Sequence, residues 1–292
     1  LDYVDDPTAV PSAEYVTAIS VAREIKPGRY TVRDVDHRLA PTHALLASAA
    51  GPIKPVEDSL EQYHYVPGAF LFEGQGDGTP VADDKMAARS SESEGQLLAR
   101  RRLDARRTEA KTYRFRSNAL DLRPGMRLGV AGHARSDLRT EAPLLLTETS
   151  FGGEATGRWW LRCEARTSDV PFRPRLSTPK PKISSVETAV VVGAPGDEIH
   201  TDELGRVRVH FHWDRDSPRD DGSSCWIPVS HPWAGTGYGG MNLPRVGQEV
   251  VVSFVGGDPD RPMVTGRVYT SPQPVPYKLP ENKTQSGWKS SS

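Results

Sequence analysis

Apolar and polar residues alternate most regularly along residues 206–214 of the chain. A period of two sustained over nine residues is typical of a β-strand with one buried and one polar face. The pattern predicts an inner face of Val207, Val209, Phe211 and Trp213, and an outer face of Arg206, Arg208, His210, His212 and Asp214. Leu204-Gly205 directly before it supplies a tight turn into the strand.

Four more short runs predict strands on either side of this one, at 188–192, 225–230, 249–255 and 262–269. Glycine and proline separate the last three runs, and no helical period falls between them. Five short strands of this kind predict a small closed β-barrel of the OB type over residues 186–272.

The first 170 residues predict a second, mainly β region with one helix. Strands are expected within 14–36, 126–130, 144–149 and 159–165, the last with Trp159, Leu161 and Cys163 facing inward. Residues 93–111 contain no proline, and the expected helix there begins at Ser93 as N-cap and buries a stripe of leucines, namely Leu97, Leu98 and Leu103.

A proline-rich stretch divides these two regions. The X-Pro pairs of residues 171–185 disfavour helix and predict a stiff, extended connector. The predicted organisation is therefore a β region at 1–170, the connector at 171–185, the barrel at 186–272 and a polar, turn-rich tail at 273–292.

The barrel segment resembles the OB-fold segment of VgrG proteins, the spike proteins of type VI secretion systems. The runs that carry the resemblance are DELGRVRVHFHWDRD, CWIPVSHPWAGTGYGG and NLPRVGQEVVVSFVGGDPDRPMVTGRVY. The residues expected to form the structural motif of the barrel are Gly205, Val207, Val209, Phe211, Trp213, Trp226, Pro228, Pro232, Trp233, Pro244, Gly247, Glu249, Gly257, Asp258, Pro259, Asp260, Pro262 and Gly266.

Other parts of the chain carry the same resemblance. The helix, the turn LRPGM and the strands after it resemble the second half of the VgrG tail-hub region, so Leu1 is expected to lie in the middle of a family domain. The tail KLPENKTQSGWKSSS resembles the junction between the barrel and the β-prism needle. The segment YHYVPG departs from the family pattern, because His64 replaces an acidic residue and Val66 is inserted.

The resemblance implies a structural role without catalysis or a cofactor. It implies a homotrimer on a threefold axis that contacts the inner-tube protein and baseplate subunits, carries a tip protein and effectors through its needle, and crosses a target membrane transiently. It implies assembly in the bacterial cytoplasm, followed by secretion into a target cell or the medium. Such spikes are related to the hubs of contractile phage tails.

Composition argues against several other roles. The net charge is −1, so no overall electrostatic field would attract the chain to nucleic acid or acidic lipid. The longest apolar runs fall short of the roughly 20 residues that a membrane-spanning helix needs. No secretory leader is recognisable at the start. Two cysteines, Cys163 and Cys225, do not make a disulfide scaffold and are expected to be reduced thiols.

Several motifs suggest binding chemistry and are weighed against simpler interpretations. His210 and His212, with His231 and Cys225 nearby, suggest zinc, but only two ligands share a strand face. The acidic loop of Asp214, Asp216, Asp220 and Asp221 lacks the pattern of an EF-hand. The glycine-rich runs 74–78 and 235–240 precede no helix, so they are interpreted as turns rather than phosphate loops. The arginines at 100–102, 106 and 107 are expected on a solvated helix face, with an acidic partner as the alternative.

Two alternatives to a spike protein are an OB-fold nucleic-acid-binding protein and a metal-dependent hydrolase. Residues 186–272 contain seven arginines, no lysine and twelve acidic residues, a net charge of −5. A barrel of this charge would repel a phosphate backbone. No nucleophile elbow and no HExxH motif occur in the chain.

Overall fold

Most of the regular structure is β-strand, as the alternating pattern predicts. In the computed structural model, residues 1–7, 13–36, 39–40, 42–51, 55–71, 90–135, 143–155 and 157–290 are described. Their contacts divide the chain into two units, one ending at Ser177 and the other continuing from Thr178. No helix in these ranges is long and apolar enough to cross a membrane.

The described residues of the first unit form nine strands and two helices. In chain order these are β1 (Asp2–Tyr3), β2 (Tyr15–Arg23), β3 (Arg29–Asp34), β4 (Leu45–Ala50), α1 (Pro55–Asp58), β5 (Glu61–Tyr65), α2 (Glu92–Arg107), β6 (Lys111–Ser117), β7 (Arg127–Leu128), β8 (Leu144–Gly153) and β9 (Trp159–Thr167). The predicted helix is present, and the one-turn helix α1 was not predicted.

A six-stranded sheet forms the larger part of this unit. Its order is β1-β2-β6-β9-β8-β7, with every pair antiparallel except β1 and β2. One face is buried around Tyr113, Leu144, Leu146 and Leu161. Leu161 and Cys163 face inward as predicted, but the prediction was wrong for Trp159, which is exposed. The ends of β8 and β9 continue past the core, and Trp159 stacks there on Phe151 with 5.1 Å between ring centroids.

A three-stranded sheet with the order β4-β3-β5 packs one face against helix α2. The helix runs from Glu92 to Arg107, and its N-cap is Ser91, two residues before the predicted Ser93. The predicted end at residue 111 was wrong, because Lys111 begins β6. Its buried residues are Gly95, Ala99 and Leu103, whereas Leu97 is exposed. Gly95 lies against the ring of Phe70, where a Cβ would clash. The helix therefore buries a stripe of small residues together with Leu103.

In the second unit, the part of the chain that the structure describes forms six strands: β10 (Glu187–Val192), β11 (Arg208–Phe211), β12 (Trp233–Gly235), β13 (Tyr238–Gly240), β14 (Glu249–Phe254) and β15 (Pro262–Val268). Four of them form an antiparallel sheet of order β11-β10-β14-β15. The predicted strand at 225–230 is reduced to two single bridges, one from Ile227 to Val207 and one from Val229 to Val264. These bridges join the two edges of the sheet and complete the predicted five-membered barrel.

Candidate assembly surface

The inner positions of the barrel motif lie where the alternation places them, up to the end of β11. Val207 and Val209 are fully buried with Ile227, Val250 and Val252. Phe211 is partly buried against the same core. Trp213 was predicted to face inward, and this was wrong: it is 68% exposed. The strand ends at Phe211, where the amide of Asp214 donates to the carbonyl of Phe211, so the alternation no longer applies to Trp213.

The predicted polar face of this strand is partly buried. Arg206 is enclosed and pairs with Asp202, its Nε lying 2.6 Å from Oδ2. The other carboxylate oxygen, Oδ1, accepts hydrogen bonds from the amides of Leu204 and Arg206. Gly205 completes this turn with a φ of 69°, a conformation that glycine adopts without strain. The DELGR segment is thus held together by a buried ion pair that sequence reasoning missed.

Four further motif residues lie at turns of the barrel sheet or within its strands. Pro244 is buried, and Gly247, with a φ of 86°, donates its amide to the carbonyl of Val191. Glu249 begins β14 and lies 2.7 Å from Nε2 of His212. Gly266 faces Val251 at the register shift between β14 and β15.

The turn 257–260 attaches the end of the connector to the barrel. Asp258 and Asp260 lie 2.6 and 2.7 Å from Nζ of Lys180, and the amide of Ile183 donates to the carbonyl of Gly257. Burial lowers the pKa of Lys180, but the hydrogen bonds and charges of the two carboxylates outweigh this, and the net direction is upward. Pro259 lies within the turn, and Pro262 opens β15 opposite Phe254.

The strands β12 and β13 form a hairpin that was not predicted. Pro232, Trp233 and Tyr238 are exposed, and the two aromatic rings meet edge to face with centroids 5.9 Å apart. Trp233 is 64% and Met241 78% exposed. Large apolar side chains clustered on an exposed hairpin indicate a contact surface for another molecule. We call Trp233, Tyr238 and Met241 the hairpin surface.

The residues considered for zinc lie in different environments. His210 is buried, and His212 is exposed and bound to Glu249. His231 and Cys225 are partly buried. Within the described ranges, no group of three or more His, Cys, Asp or Glu side chains is placed to hold a metal ion.

The acidic loop is organised as turns. Oδ1 of Asp214 accepts hydrogen bonds from the amides of Asp216 and Ser217. The pKa of Asp214 is lowered by hydrogen bonds, first that of the Ser217 side chain. Oδ1 of Asp220 accepts from the amide of Gly222, and Asp216 is exposed. The loop oxygens therefore satisfy local backbone donors.

The glycine-rich runs, the arginine run and the two cysteines are the remaining candidates from the sequence. Residues 235–240 lie within the hairpin, and residues 74–78 lie outside the described residues. The interpretation of the arginine run as a solvated face is wrong for Arg107, which is partly buried and forms an ion pair with Glu57 at 2.8 Å. Arg101 and Arg106 are exposed, and Arg100 pairs with Asp104. The two cysteines form no disulfide, and burial raises the pKa of Cys163 to about 11.

Trp226, a tryptophan of the barrel motif, is inaccessible to a bound base. Trp226 is buried between His200, whose ring centroid lies 5.0 Å away, and Arg208, whose guanidinium carbon lies 4.7 Å from the ring centroid. Pro228 beside it accepts the amide of Val264 and so belongs to the barrel closure. The Trp226 side chain therefore contributes to the packing of the barrel.

A mainly β unit followed by a small barrel is the arrangement for which the family models give a hub component and an injector component. Comparison with family models identifies a phage tail baseplate hub (GPD) over residues 1–156 and a type VI secretion system/phage-baseplate injector OB domain over residues 188–269. The chain belongs to this baseplate hub family, and the resemblance to VgrG proteins is confirmed.

Curated relatives agree with the family models. The type VI secretion system spike protein VgrG1c of Pseudomonas aeruginosa is 37% identical over 281 residues, covering 93% of this chain and 36% of the relative. VgrG4b of the same organism is 38% identical over 309 residues, covering 99% and 36%. The chain thus spans about a third of the length of these relatives.

Solved structures give more distant similarities. The E. coli c3393 protein, a type VI secretion system component, is 24% identical with a TM-score of 0.44 and covers 59% of this chain and 43% of its own. A PdpA-VgrG complex is 5% identical with a TM-score of 0.45, covering 88% and 48%.

Proposed function

We propose that the chain is part of the spike and hub of a type VI secretion machine, a trimeric device that punctures membranes and delivers effectors. One observation carries this proposal: the hub match and the injector OB match follow one another along the chain, at 1–156 and 188–269. We assign residues 1–170 to the hub, 171–185 to the connector, 186–272 to the barrel and 273–292 to the start of the needle.

The proposed mechanism is mechanical. Contraction of a sheath drives the trimer through the target membrane, with effectors and a tip protein attached to the needle and the inner tube behind the hub. The chain would assemble with baseplate subunits in the cytoplasm and then leave the cell through the apparatus. No catalytic step and no cofactor enter this mechanism, and nucleic acid is not a partner in it.

The barrel motif supports the proposal through rigidity. The bridges at Ile227 and Val229 join the edges of the sheet, and the buried pair of Asp202 and Arg206 fixes the turn that leads into β11. Closing a sheet removes the edges at which strands can separate. We propose that the residues of the motif serve this rigidity, and that no substrate contacts them.

We propose that the hairpin surface contacts a neighbouring copy in the trimer. Trp233 and Tyr238 are among the residue types that dominate protein interfaces, since they bury large areas at low entropic cost. Exposed on a two-stranded hairpin, they would leave an apolar patch in water in the isolated chain.

Sedimentation velocity at increasing protein concentration tests the trimer. We expect a trimer for the unmodified chain. A double variant, Trp233→Ser with Tyr238→Ser, should weaken self-association at least about thirty-fold, because truncation of central aromatic residues costs about 2 kcal/mol or more. The control is Leu120→Ser, which removes an exposed apolar side chain of the first unit.

Two results would count against the proposal. A strictly monomeric particle at every concentration would contradict the trimer. Equal self-association of the double variant and the control would exclude the hairpin surface from the contact. The circular dichroism spectrum of each variant shows whether the barrel is retained.

A further inference from the structure

The outer face of the six-stranded sheet carries a groove that the spike mechanism does not use. Its volume is about 500 Å³, and it lies over β2, β6, β9 and β8. The side chains that define it are Arg114, Arg116, Glu148, Ser150, Arg162 and Glu164. We call it the sheet groove.

Two arginines oppose each other directly in this groove. Arg116 on β6 is the register partner of Arg162 on β9, and Ser150 on β8 continues the same row. Both arginines are exposed, and neither has an ion-pair partner within the described part of the chain. Like charges at directly opposed positions destabilise a sheet, so this pair works against the stability of the unbound protein.

The guanidinium of Arg116 is held in place rather than dispersed in solvent. Its central carbon lies 5.7 Å from the ring centroid of Trp160. That ring lies against Gly152 of the next strand, where a Cβ would come within 2.8 Å of the indole Nε1. A guanidinium positioned on an aromatic ring has already lost part of its freedom, which favours binding of a carboxylate.

The neighbouring row has the opposite character. Arg114 pairs with Glu164, which also pairs with Arg166, each at 3.0 Å. Glu148 lies opposite Glu164, is exposed, and has no ionic partner among the described residues. The groove thus presents two neighbouring arginines without an ion-pair partner among the described residues, Arg116 and Arg162. Two residues along the strands it presents the carboxylate of Glu148, which also has none.

The rim of the groove is irregular at β2. The register between β2 and β6 shifts between Thr17 and Ser20, and Ala18 adopts a φ of 51° within this shift. Left-handed backbone at a residue other than glycine is strained, and bulges of this kind frequently redirect side chains beside binding sites. Ala18 and Ser20 both line the groove.

We propose that the sheet groove binds an extended polypeptide segment of mixed charge from a partner protein. A carboxylate of the segment binds between Arg116 and Arg162, which offer planar, paired donors. A basic side chain two residues further along meets Glu148, since alternate residues of an extended segment face the same way. A nucleic-acid strand fits less well, because Glu148 and Glu164 would repel its continuous negative charge.

Fluorescence anisotropy at low ionic strength tests this proposal with a labelled peptide of repeated Glu-Thr-Lys-Thr units. Replacing both groove arginines, Arg116→Gln with Arg162→Gln, should weaken binding about tenfold or more, which corresponds to a loss of about 1.4 kcal/mol. The matched control is Arg123→Gln with Arg127→Gln, two exposed arginines of the same unit that do not line the groove.

The single variant Arg162→Gln separates binding from a purely structural role. It should weaken peptide binding and at the same time raise the Tm of the unbound protein, because it removes the opposed like charges. Glu148→Gln should abolish the preference for the mixed-charge peptide over an all-glutamate peptide of equal length.

Three outcomes would overturn the proposal: equal affinities for the groove variant and its control, a lower Tm in Arg162→Gln, or tighter binding of an oligothymidylate than of the mixed-charge peptide. Loss of self-association in the groove variant alone would assign the groove to a second copy of the chain and would also overturn it. The peptide-binding and Tm measurements do not depend on the hairpin surface, so failure of the trimer proposal is recognised separately.

Discussion

At the scale of single residues, the barrel depends on a charge pair that is almost completely enclosed. The side chains of Asp202 and Arg206 are 1% and 4% exposed. Removing one member of such a pair leaves a buried charge without its partner, which is far more costly than losing a surface ion pair.

Asp202→Ala is therefore expected to lower the free energy of unfolding by roughly 3–5 kcal/mol. Urea unfolding followed by tryptophan fluorescence measures this, since Trp226 is buried in the same unit. Asp216→Ala is the control, because Asp216 is exposed and pairs only loosely with Arg215 at 3.7 Å, and it should change stability by about 0.5 kcal/mol or less. Similar losses in both variants would contradict the role of the pair.

The sequence predicts the burial of some barrel residues correctly and of others incorrectly, for physical reasons. Alternation correctly places Val207 and Val209 in the core. It fails at Trp213, because the strand has ended, and at Arg206 and His210, because the barrel encloses parts of its polar face. Alternation reports the two sides of a strand, but burial of a polar side requires a covering element that sequence spacing does not reveal.

At the scale of elements, closure of the barrel depends on a segment that is barely a strand. Ile227 exchanges hydrogen bonds with Val207, at 2.8 and 3.0 Å, and the amides of Ser230 and Val264 donate to the carbonyls of Val264 and Pro228. The β-rich composition of 225–230 predicts its place in the barrel, whereas its irregular pairing depends on both neighbouring edges.

Ile227→Ala should lower the free energy of unfolding by about 2–5 kcal/mol, since Ile227 is fully buried and its truncation leaves a cavity. Val268→Ala, at a more exposed position in β15, is the matched control and should have a small effect. Chemical denaturation of both variants gives the comparison. An Ile227→Ala variant as stable as the control would show that this segment does not close the barrel.

The hairpin β12–β13 marks a limit of prediction for elements. Its six strand residues include three glycines and none of the alternation that identifies strands. Gly239 has a φ of 144°, and a Cβ there would clash with the backbone of Trp233. Glycine that permits a close hairpin looks, in sequence, the same as glycine in a loop.

At the scale of the whole molecule, composition and proline content predict two regions with a connector, and the described residues fall into two units that divide after Ser177. The sequence does not predict how the end of the connector is attached. That attachment depends on Lys180 meeting Asp258 and Asp260, which are distant in sequence.

Lys180→Met is expected to accelerate hydrogen exchange at the amide of Ile183, whose acceptor is the carbonyl of Gly257. Exchange mass spectrometry measures this, with Lys182→Met as a control that removes an exposed lysine two residues away. Because the folded pKa of Lys180 is raised, its stabilising contribution is present below the ordinary lysine pKa and is lost as pH rises through the higher folded value. Equal exchange in both variants would contradict this attachment.

The position of this attachment also determines where tension enters the second unit. Lys180 and Ile183 precede β10, which begins at Glu187, so a pull along the connector reaches their polar contacts before it reaches the first strand. Those contacts can rupture and re-form while the hydrogen bonds of β10 stay intact. Under the proposed mechanism, these contacts would take up part of a sudden load before it reaches the strands of the barrel.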